Sequence, residues 1–508
     1  MAAATESLYP PLRGMPLVLA SIATTTGTFM VSLDATIANV SLTSITGNLG
    51  ATASQGSWII TSYGVANAIA MLLSGWLAKR VGQVHLYVAA VLGFTLASLL
   101  CSLATSLPIL VAFRVLQGLS AGPMFSLAMA LNMQCYPPHK ASQAIATQTV
   151  VAMAAPALGP IVGGWLTDNF AWPSIFLVNL PFGLIGAILA WEILRERESA
   201  RVREPIDYTG LVLLVIWVAA MQTSLEQGRE LDWFGSATIR LLAGTALVAF
   251  SFFVVWEWHE RHPVVDLSLF RYRNFSIGLL TAALGNFLYF GTMVLTPLWL
   301  RETLGYTAGW AGLVLAPVGL TALLVNPFAG KLVTRVATRY MIIFACLLLA
   351  GVNFMRSGFT AEVSAGHIVW LHICQGFAIA FFFMPILVTM LSGIPQVRLP
   401  TATGLANFIR FTAGSIGTSA AVTVWDNRTS VHHARLVEYI HPYRTEGATD
   451  LPSLALMERE IMRQAETIAA NEYFFVAAFL FLGLIAIIAF ARAQSHLQAA
   501  SAGGGGHE

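Results

Sequence analysis

Long apolar segments separated by short polar ones run through almost the whole chain. A helix needs about 20 mostly apolar residues to cross the hydrocarbon core of a bilayer. Windows of that length place fourteen segments, at 16–40, 55–77, 84–104, 108–133, 141–165, 172–193, 208–226, 237–257, 276–299, 307–330, 340–358, 366–391, 399–424 and 471–492. The pattern therefore predicts an all-α polytopic membrane protein with fourteen transmembrane helices.

The composition narrows the class of protein. Of 508 residues, 56% are apolar and 10% are charged, whereas roughly a quarter of the residues in a soluble domain are charged. A net charge of +2 provides no basic surface for nucleic acid. The chain has four cysteines, none in a C-x-x-C pair, which argues against a disulfide scaffold or a thiolate metal site. With no nucleotide-binding loop, catalytic triad or metal motif, we expect no enzyme activity, no metal and no cofactor.

The basic residues of the short loops predict the orientation. Sixteen lysines and arginines lie on one side of the predicted membrane, whereas the other side has four, at Arg229, Arg240, Arg301 and Arg356. Basic loops face the cytoplasm, so both termini are expected there. No cleavable signal peptide is evident at the N-terminus.

Two parts of the chain repeat one another. Gly75 to Val81 matches Gly330 to Val336 at four positions, and Gln117-Gly118 matches Gln375-Gly376. The offsets are 255 and 258 residues, and Ala155, Gly159 and Gly163 match Ala413, Gly417 and Ala421 at the second offset. Parallel repeats are a known transporter plan. We therefore predict six-helix bundles at 15–193 and 276–492, a two-helix insertion at 208–257, and a periplasmic loop at 425–470.

Ionisable side chains inside the predicted spans are the first candidates for function, because each costs at least ~2.5 kcal/mol to insert. Asp34 lies in the first span and Arg114 in the fourth. A buried carboxyl group that exchanges its proton as its surroundings change is suited to proton coupling, and a neighbouring cation would modulate that exchange. The alternative is that each side chain only satisfies polar groups near a helix end.

Other polar and aromatic residues are weaker candidates for a substrate cavity. Arg410 is a second embedded cation that either meets an anionic substrate or pairs with a backbone carbonyl. Neutral polar groups within spans mostly form interhelical hydrogen bonds, and one or two would face a cavity. The cavity candidates are Asn67, Gln117, Gln375, Phe382, Asn407 and Arg410.

The fifth span has small residues every fourth position, at Ala155, Gly159 and Gly163. This spacing forms one smooth helix face that permits close backbone approach, and Pro156 and Pro160 remove backbone donors. Two interpretations of the fifth span are compatible with this pattern: a hinge between the bundles, or ordinary tight helix packing.

Several motifs together resemble the major facilitator superfamily, specifically its fourteen-span drug:proton antiporters of the EmrB type. The family has a signature in its first helix, and this chain has a similar segment, Leu33-Asp34-Ala-Thr36-Ile37-Ala-Asn39-Val40. The family's fourth-helix motif is similar to Arg114-Val-Leu-Gln117-Gly118. Gly75–Gly82 is similar to the family's loop motif between the second and third helices, although Lys79 stands where that motif usually has an aspartate. The first-helix signature usually ends in a proline, and here Thr43 stands at that position. The antiporter motif is similar to Gly159-Pro160-Ile-Val-Gly163-Gly164.

The resemblance implies a proton-driven antiporter in a bacterial inner membrane that exports hydrophobic or amphipathic drugs. It also implies a tripartite pump with a periplasmic membrane-fusion adaptor and an outer-membrane channel. The polar loop 425–470, with apolar residues at helical spacing in its second part, either docks that adaptor or packs on itself. A dedicated exporter of a fatty or aromatic acid is the alternative function, whereas a membrane enzyme or signalling scaffold fits the sequence poorly.

Overall fold

The computed structural model describes residues 10–491 apart from 138–139, 202–204, 206, 229–230, 262, 334 and 439–450. Within these ranges the secondary structure consists of α-helices and short 3-10 turns, without a strand. The α-helices are α1 (Met15–Asn48), α2 (Ala53–Val81), α3 (Gln83–Ser102), α4 (Leu107–Cys135), α5 (Ala141–Phe170), α6 (Ser174–Leu177), α7 (Asn179–Leu194), α8 (Tyr208–Gln227), α9 (Ala237–His259), α10 (Arg273–Glu302), α11 (Ala308–Leu332), α12 (Thr338–Arg356), α13 (Ala365–Leu391), α14 (Leu399–Glu438) and α15 (Leu451–Ala489).

Twelve helical segments in the described ranges are long and apolar enough to cross a membrane, with α6 and α7 counted together as Ser174–Arg197. The prediction of an all-α polytopic membrane protein is therefore confirmed. The helix α5 has 30 residues, enough to cross a membrane, but several of its side chains lie outside the described part. The helix α14 is also long enough but does not belong to the twelve. It is rich in glycine, alanine and threonine and packs against several other helices, so it needs less apolar surface than a lipid-facing helix.

Helix packing follows the same pattern in two sets of helices. The first set is α1 to α7, in which α2 packs on α4, α1 on α5, α3 on α4, and α1 and α3 on α7. The second set is α10 to α15, in which α11 packs on α13, α10 on α14, α12 on α13, and α10 and α12 on α15. The repeated sequence motifs therefore lie on helices with equivalent neighbours.

The pair α8 and α9 lies beside both sets. The helix α8 packs on α9, on α2 and on α14. Gln227 donates a hydrogen bond to Ser57 Oγ of α2 at 3.0 Å, and Gln222 donates to Thr412 Oγ1 of α14 at 3.5 Å. Since α9 packs mainly on α8, most of its surface is exposed to the surroundings.

The two sets meet through α2 and α4 against α14, and through α5 against α11 and α13. The contact of α2 with α14 is close, because a Cβ atom at Gly75 would lie 2.6 Å from Thr401 Cα. Thr403 Oγ1 also donates a hydrogen bond to Ser126 O of α4 at 3.0 Å. The domain boundaries inferred from the sequence stay predictions.

The helices α14 and α15 extend well beyond the length of a single span. They contain 40 and 39 residues, or about 60 Å each at 1.5 Å per residue, against a hydrocarbon core of about 30 Å. Arg428 of α14 donates two hydrogen bonds to the Glu472 carboxylate of α15, at 2.6 and 2.8 Å. His433 and Glu458 make a second contact at 2.7 Å. Of the predicted loop 425–470, residues 439–450 lie outside the described part.

Candidate functional site

The first and fourth helices bring two embedded charges together. Apolar and small residues surround Asp34 in α1, so the helix continues through it, and the side chain is fully buried. Arg114 lies two turns into α4, after Pro108 in the first turn, and is also buried. Its Nη1 donates a hydrogen bond to Asp34 Oδ2 at 2.5 Å. The two candidates for proton coupling thus form one buried ion pair.

Two amides complete the hydrogen bonding of this carboxylate. Gln117 Nε2 donates to Asp34 Oδ1 at 2.9 Å, and Asn179 Nδ2 of α7 donates to the same oxygen at 3.1 Å. Both amides also donate to Ser98 Oγ of α3, at 2.8 and 2.9 Å. The carboxylate therefore ties α1 to α4 and α7, with α3 as a support.

Aromatic rings enclose the guanidinium group of Arg114. Its central carbon lies 5.2 Å from the centre of the Tyr63 ring and 4.8 Å from that of Phe176. These distances suit cation–π contacts. Arg114 Nη1 also donates to Gln117 Oε1 at 2.8 Å. The cation is thus held by one carboxylate, one amide and two rings.

The hydrogen-bond inventory matches an ionised Asp34. Each contact described at its two oxygens is made by a donor, and an ionised carboxylate only accepts. Three polar atoms of the cluster are buried without a partner among the described residues: Arg114 Nε, Asn179 Oδ1 and Tyr63 Oη. Asn179 Oδ1 would serve as an acceptor if its amide turned towards a protonated Asp34.

The glycines of the fifth helix lie directly against α1, beside this cluster. A Cβ atom at Gly159 would collide with the Thr36 side chain, and one at Gly163 would lie 2.7 Å from Ile37 Cγ1. Gly164 has no atom within 4 Å of the equivalent position, and the side chain of Pro160 lies outside the described part. Gly159 and Gly163 thus let α5 approach α1 within one turn of Asp34.

The cavity candidates do not form one group. Asn67 is buried on α2, where its backbone nitrogen lies 3.1 Å from the position of a Cβ atom at Gly118. Phe382 is fully buried within the second set, against Gly285 and Phe481. Asn407 is buried on α14.

Arg410, one turn further along α14, is partly exposed. Its guanidinium lies 5.7 Å from the centre of the Phe383 ring, and its Nε has no hydrogen-bond partner in the described residues. Gln375 instead accepts a hydrogen bond from Arg356 Nη2 at 2.6 Å.

Sequence reasoning missed Tyr63, Ser98, Asn179 and Arg356. The first three are neutral, and nothing in an apolar segment distinguishes a hydroxyl or amide that contacts a charge from one that bonds its own helix. Arg356 ends an apolar segment and therefore resembles a loop residue, whereas in the structure it is the last residue of α12 and is fully buried. Its register offers one signal, because Arg356 lies 258 residues after Ser98, the same offset that relates Gln375 to Gln117.

Comparisons with known proteins agree with this architecture. A family model described as Major Facilitator Superfamily matches residues 24–418. The chain is 43% identical over 509 residues to the multidrug export protein EmrB of Escherichia coli K12, covering 98% of this chain and 99% of EmrB. It is 41% identical over 510 residues to the fatty acid resistance protein FarB of Neisseria gonorrhoeae, covering 98% and 100%.

Two solved structures show the same fold at low identity. The human organic anion transporter MFSD10 matches with a TM-score of 0.58 at 16% identity, covering 92% of this chain and 100% of that one. The proton:xylose symporter XylE matches with a TM-score of 0.58 at 14% identity, covering 95% and 98%. Together with the full-length relatives, these findings show that the chain belongs to the major facilitator superfamily and is a multi-pass membrane transporter of the EmrB type.

Proposed function

We propose that the chain is a proton-coupled antiporter that exports hydrophobic or amphipathic drugs from the cytoplasm, driven by the proton gradient and without another cofactor. The names of EmrB and its relatives support export of drugs. The observation that carries proton coupling is the cluster in which a fully buried Asp34 accepts hydrogen bonds from Arg114, Gln117 and Asn179. No other buried carboxylate in the described spans forms an ion pair with a buried cation.

Protonation of Asp34 would change the contacts between helices. A proton on Oδ2 occupies the position that Arg114 Nη1 contacts, so proton binding and the ion pair exclude each other at that oxygen. Breaking a buried pair on one side costs about 3–5 kcal/mol, a cost large enough to change which conformation is favoured. Protonation therefore loosens α1 from α4 and α7.

The glycines of α5 would pass this change to the other half. The helix α5 packs on α1 through Gly159 and Gly163, and on α11 and α13 of the second set. A shift of α1 would therefore displace α5 and change its contacts with α11 and α13 at the boundary between the two sets. Alternating access follows if Asp34 takes its proton from the periplasmic side and releases it to the cytoplasm.

The Asp34→Asn variant tests this mechanism in proteoliposomes. Asparagine keeps the size of the side chain but does not ionise, so substrate binding should persist while transport driven by a pH gradient falls to background. Binding and proton flux, measured on the same preparation, separate the two effects.

Glu458→Gln is the matched control, since it neutralises an exposed carboxylate whose contact is with His433. This variant should transport as the parent does. Normal transport by Asp34→Asn on a pH gradient would contradict the assignment of Asp34.

We further propose fourteen spans in an inner membrane, with both termini in the cytoplasm. The two long helices α5 and α14 supply the spans beyond the twelve apolar ones, and the loop arginines supply the orientation. Single cysteines at Ser106 and Ser199, in a variant without native cysteines, should react with an impermeant maleimide from the periplasm and the cytoplasm, respectively. Reaction of both from the same side would contradict this topology.

The extended ends of α14 and α15 support a tripartite pump. Beyond the length of a span, α15 exposes apolar side chains, with Leu456 68% and Met462 37% exposed. We propose that this surface binds a periplasmic membrane-fusion adaptor, which connects to an outer-membrane channel. Leu456→Glu should weaken binding to the adaptor without changing transport across a single membrane, whereas Arg459→Glu on the same helix provides a charge control. Unchanged binding by Leu456→Glu would contradict the proposed surface.

A second candidate function, export of a fatty or aromatic acid, is favoured by Arg410. This cation lies over Phe383 and has no ion pair with an acidic residue in the described ranges. The name of the relative FarB refers to fatty acids. Arg410→Gln should abolish export of an anionic fluorescent fatty acid but preserve export of a cationic dye. Equal effects on both probes would contradict a role in anion recognition.

A further inference from the structure

A groove with a volume of about 490 Å³ opens on the outer surface of the α8–α9 pair. It lies at the N-terminal end of α8 and the C-terminal end of α9, and its walls are almost wholly apolar. Lipid-facing side chains such as Phe252 and Val255 are 64% and 61% exposed there. The lining residues are Thr209, Leu213, Phe252, Val255, Trp256 and His259.

Two buried carboxylates lie directly behind the groove. Asp207 is 8% exposed and Glu257 is 3% exposed. Both approach Gly210, where a Cβ atom would collide with the Asp207 carboxylate and lie 2.9 Å from Glu257 Oε1. Asp207 Oδ1 accepts hydrogen bonds from Gly210 N at 2.8 Å and from Trp256 Nε1 at 3.0 Å.

The second carboxylate has only backbone donors. Glu257 Oε2 accepts a long hydrogen bond from Val265 N at 3.4 Å, the backbone of Val264 also donates to the carboxylate, and Oε1 has no partner among the described residues. Within the same ranges neither Asp207 nor Glu257 forms an ion pair with a basic side chain. Two neighbouring carboxylates in a site of low dielectric favour a bound cation or a proton.

Trp256 connects the groove to these charges. Its ring lines the groove, while its N–H donates to Asp207 at 3.0 and 3.1 Å. A cation over an indole ring is attracted by the negative face of the ring, and a carboxylate at the N–H adds to that negative potential. The apolar walls and the acidic background therefore complement a ligand that is both lipophilic and positively charged.

We propose that this groove binds a lipophilic organic cation from the membrane. The apolar groups of the ligand contact Leu213 and Phe252, and its charge lies over Trp256, close to Asp207 and Glu257. The site is separate from the Asp34 cluster and does not depend on proton coupling. A lipid acyl chain in the same groove is the competing occupant, and it would show no preference for a cation.

Binding of radiolabelled tetraphenylphosphonium to the full chain in lipid nanodiscs tests the proposal. The Asp207→Asn/Glu257→Gln variant should bind about tenfold more weakly or worse, because the attraction of two carboxylates is removed. Asparagine still caps α8, and a monodisperse elution profile shows that the variant is folded. Leu213→Trp, which fills the groove, should weaken binding similarly, whereas Leu247→Trp on the exposed face of α9 should not.

Two outcomes separate the explanations. Unchanged phosphonium binding by Leu213→Trp would place the phosphonium outside the groove and overturn the proposal. The neutral probe N-phenyl-1-naphthylamine should bind the parent and the double carboxylate variant equally. An equal loss for both probes, or unchanged phosphonium binding in the double variant, would show that the groove does not recognise a cation.

Discussion

Arg114 and Arg356 are both buried, but their charges are compensated in different ways. Arg114 has a carboxylate, an amide and two rings. Arg356 has Gln375 Oε1 at 2.6 Å and the Phe474 ring at 5.7 Å, and its Nε and Nη1 have no acceptor in the described part of the chain. The stability of the second set therefore depends strongly on one amide.

A double-variant cycle tests this dependence. Gln375→Leu should lower the free energy of unfolding by about 1.5–3 kcal/mol, because it removes the hydrogen bond that the buried guanidinium of Arg356 donates. The combined Arg356→Met/Gln375→Leu variant should recover most of that loss, since apolar replacement of a buried polar pair is often neutral or stabilising. Thermal unfolding followed by tryptophan fluorescence measures both. A double variant less stable than Gln375→Leu would contradict this account.

Charge in an apolar segment drew attention to Asp34 and Arg114, which the structure brings together in a buried ion pair; their role in proton coupling stays a prediction. Their amide partners could not be identified in the same way, since Gln117 and Gln375 share an equivalent register but contact different groups. The difference arises from residues on neighbouring helices, Ser98 in one set and Arg356 in the other. Contacts of that kind depend on packing that one sequence does not display.

At the scale of helices, Gly118 and Gly376 occupy equivalent positions in the two sets. Each allows two helices to pack closely, α4 on α2 in the first set and α13 on α11 in the second. A Cβ atom at Gly118 of α4 would lie 2.5 Å from Tyr63 O of α2, and one at Gly376 of α13 would collide with Val318 O of α11. Both contacts are with backbone, which cannot move aside as a side chain can. Close approach at these positions therefore requires glycine.

Gly118→Ala should consequently destabilise the protein, by about 1–3 kcal/mol as for an overpacked core, and should reduce transport, because Tyr63 also contacts Arg114. Gly351→Ala is the control, since no atom lies within 4 Å of its Cβ position on α12. There alanine should be neutral or stabilising by up to about 1 kcal/mol. Equal effects of the two substitutions on thermal stability would contradict the packing argument.

The start of α3 depends on a carboxylate from a distant segment. Glu198 accepts hydrogen bonds from Val84 N at 3.2 Å and His85 N at 2.9 Å, and also contacts the His85 ring. Burial raises the pKa of Glu198, but the hydrogen bonds from His85, Val84 and Ser199 outweigh it, so the pKa lies below its usual value of 4.5. The ionised form is therefore the one that stabilises the fold.

The sign of the pH dependence follows from this lowered pKa. The stabilisation is fully present above about pH 4.5 and is lost as the pH falls through the pKa of the folded state. Glu198→Gln should lower stability by about 1–2 kcal/mol at pH 7, as for loss of a helix cap. The difference from the parent should shrink below pH 4.5 in thermal unfolding. A difference that is constant from pH 7 to pH 4 would contradict the role of the charge.

Hydropathy was sufficient to predict most helices but not how far they extend. The apolar windows end near residue 424 and begin again near 471, whereas α14 continues to Glu438 and α15 begins at Leu451. The extensions are polar, so hydropathy does not distinguish them from a loop. Pairing between the two helices, through Arg428 and Glu472, stabilises them instead.

At the scale of the whole molecule, the two sets meet in two places, where α5 packs on α11 and α13 and where α2 and α4 meet the start of α14. The second place brings the backbones close together. A Cβ atom at Gly404 would lie 2.6 Å from Met71 O and 2.6 Å from Ser74 Oγ, and Thr403 bonds to Ser126 O. The repeat in the sequence predicted two similar sets, but it contained no information on how they meet. The predicted orientation places this contact at the cytoplasmic end.

Gly404→Val should therefore wedge the two sets apart and favour the conformation that opens towards the cytoplasm. A shift of about 1.4 kcal/mol between the two states changes their ratio tenfold, so even a small clash should be measurable. The reporter is a cysteine at Ser126, which is fully buried, in a variant whose native cysteines are replaced by serine. An impermeant maleimide added to inverted vesicles should label it about tenfold faster when Gly404 is valine. Gly312→Val, with no atom within 4 Å of its Cβ position, should leave the labelling rate unchanged. Equal rates in the parent and in Gly404→Val would mean that this contact does not control opening at the cytoplasmic end.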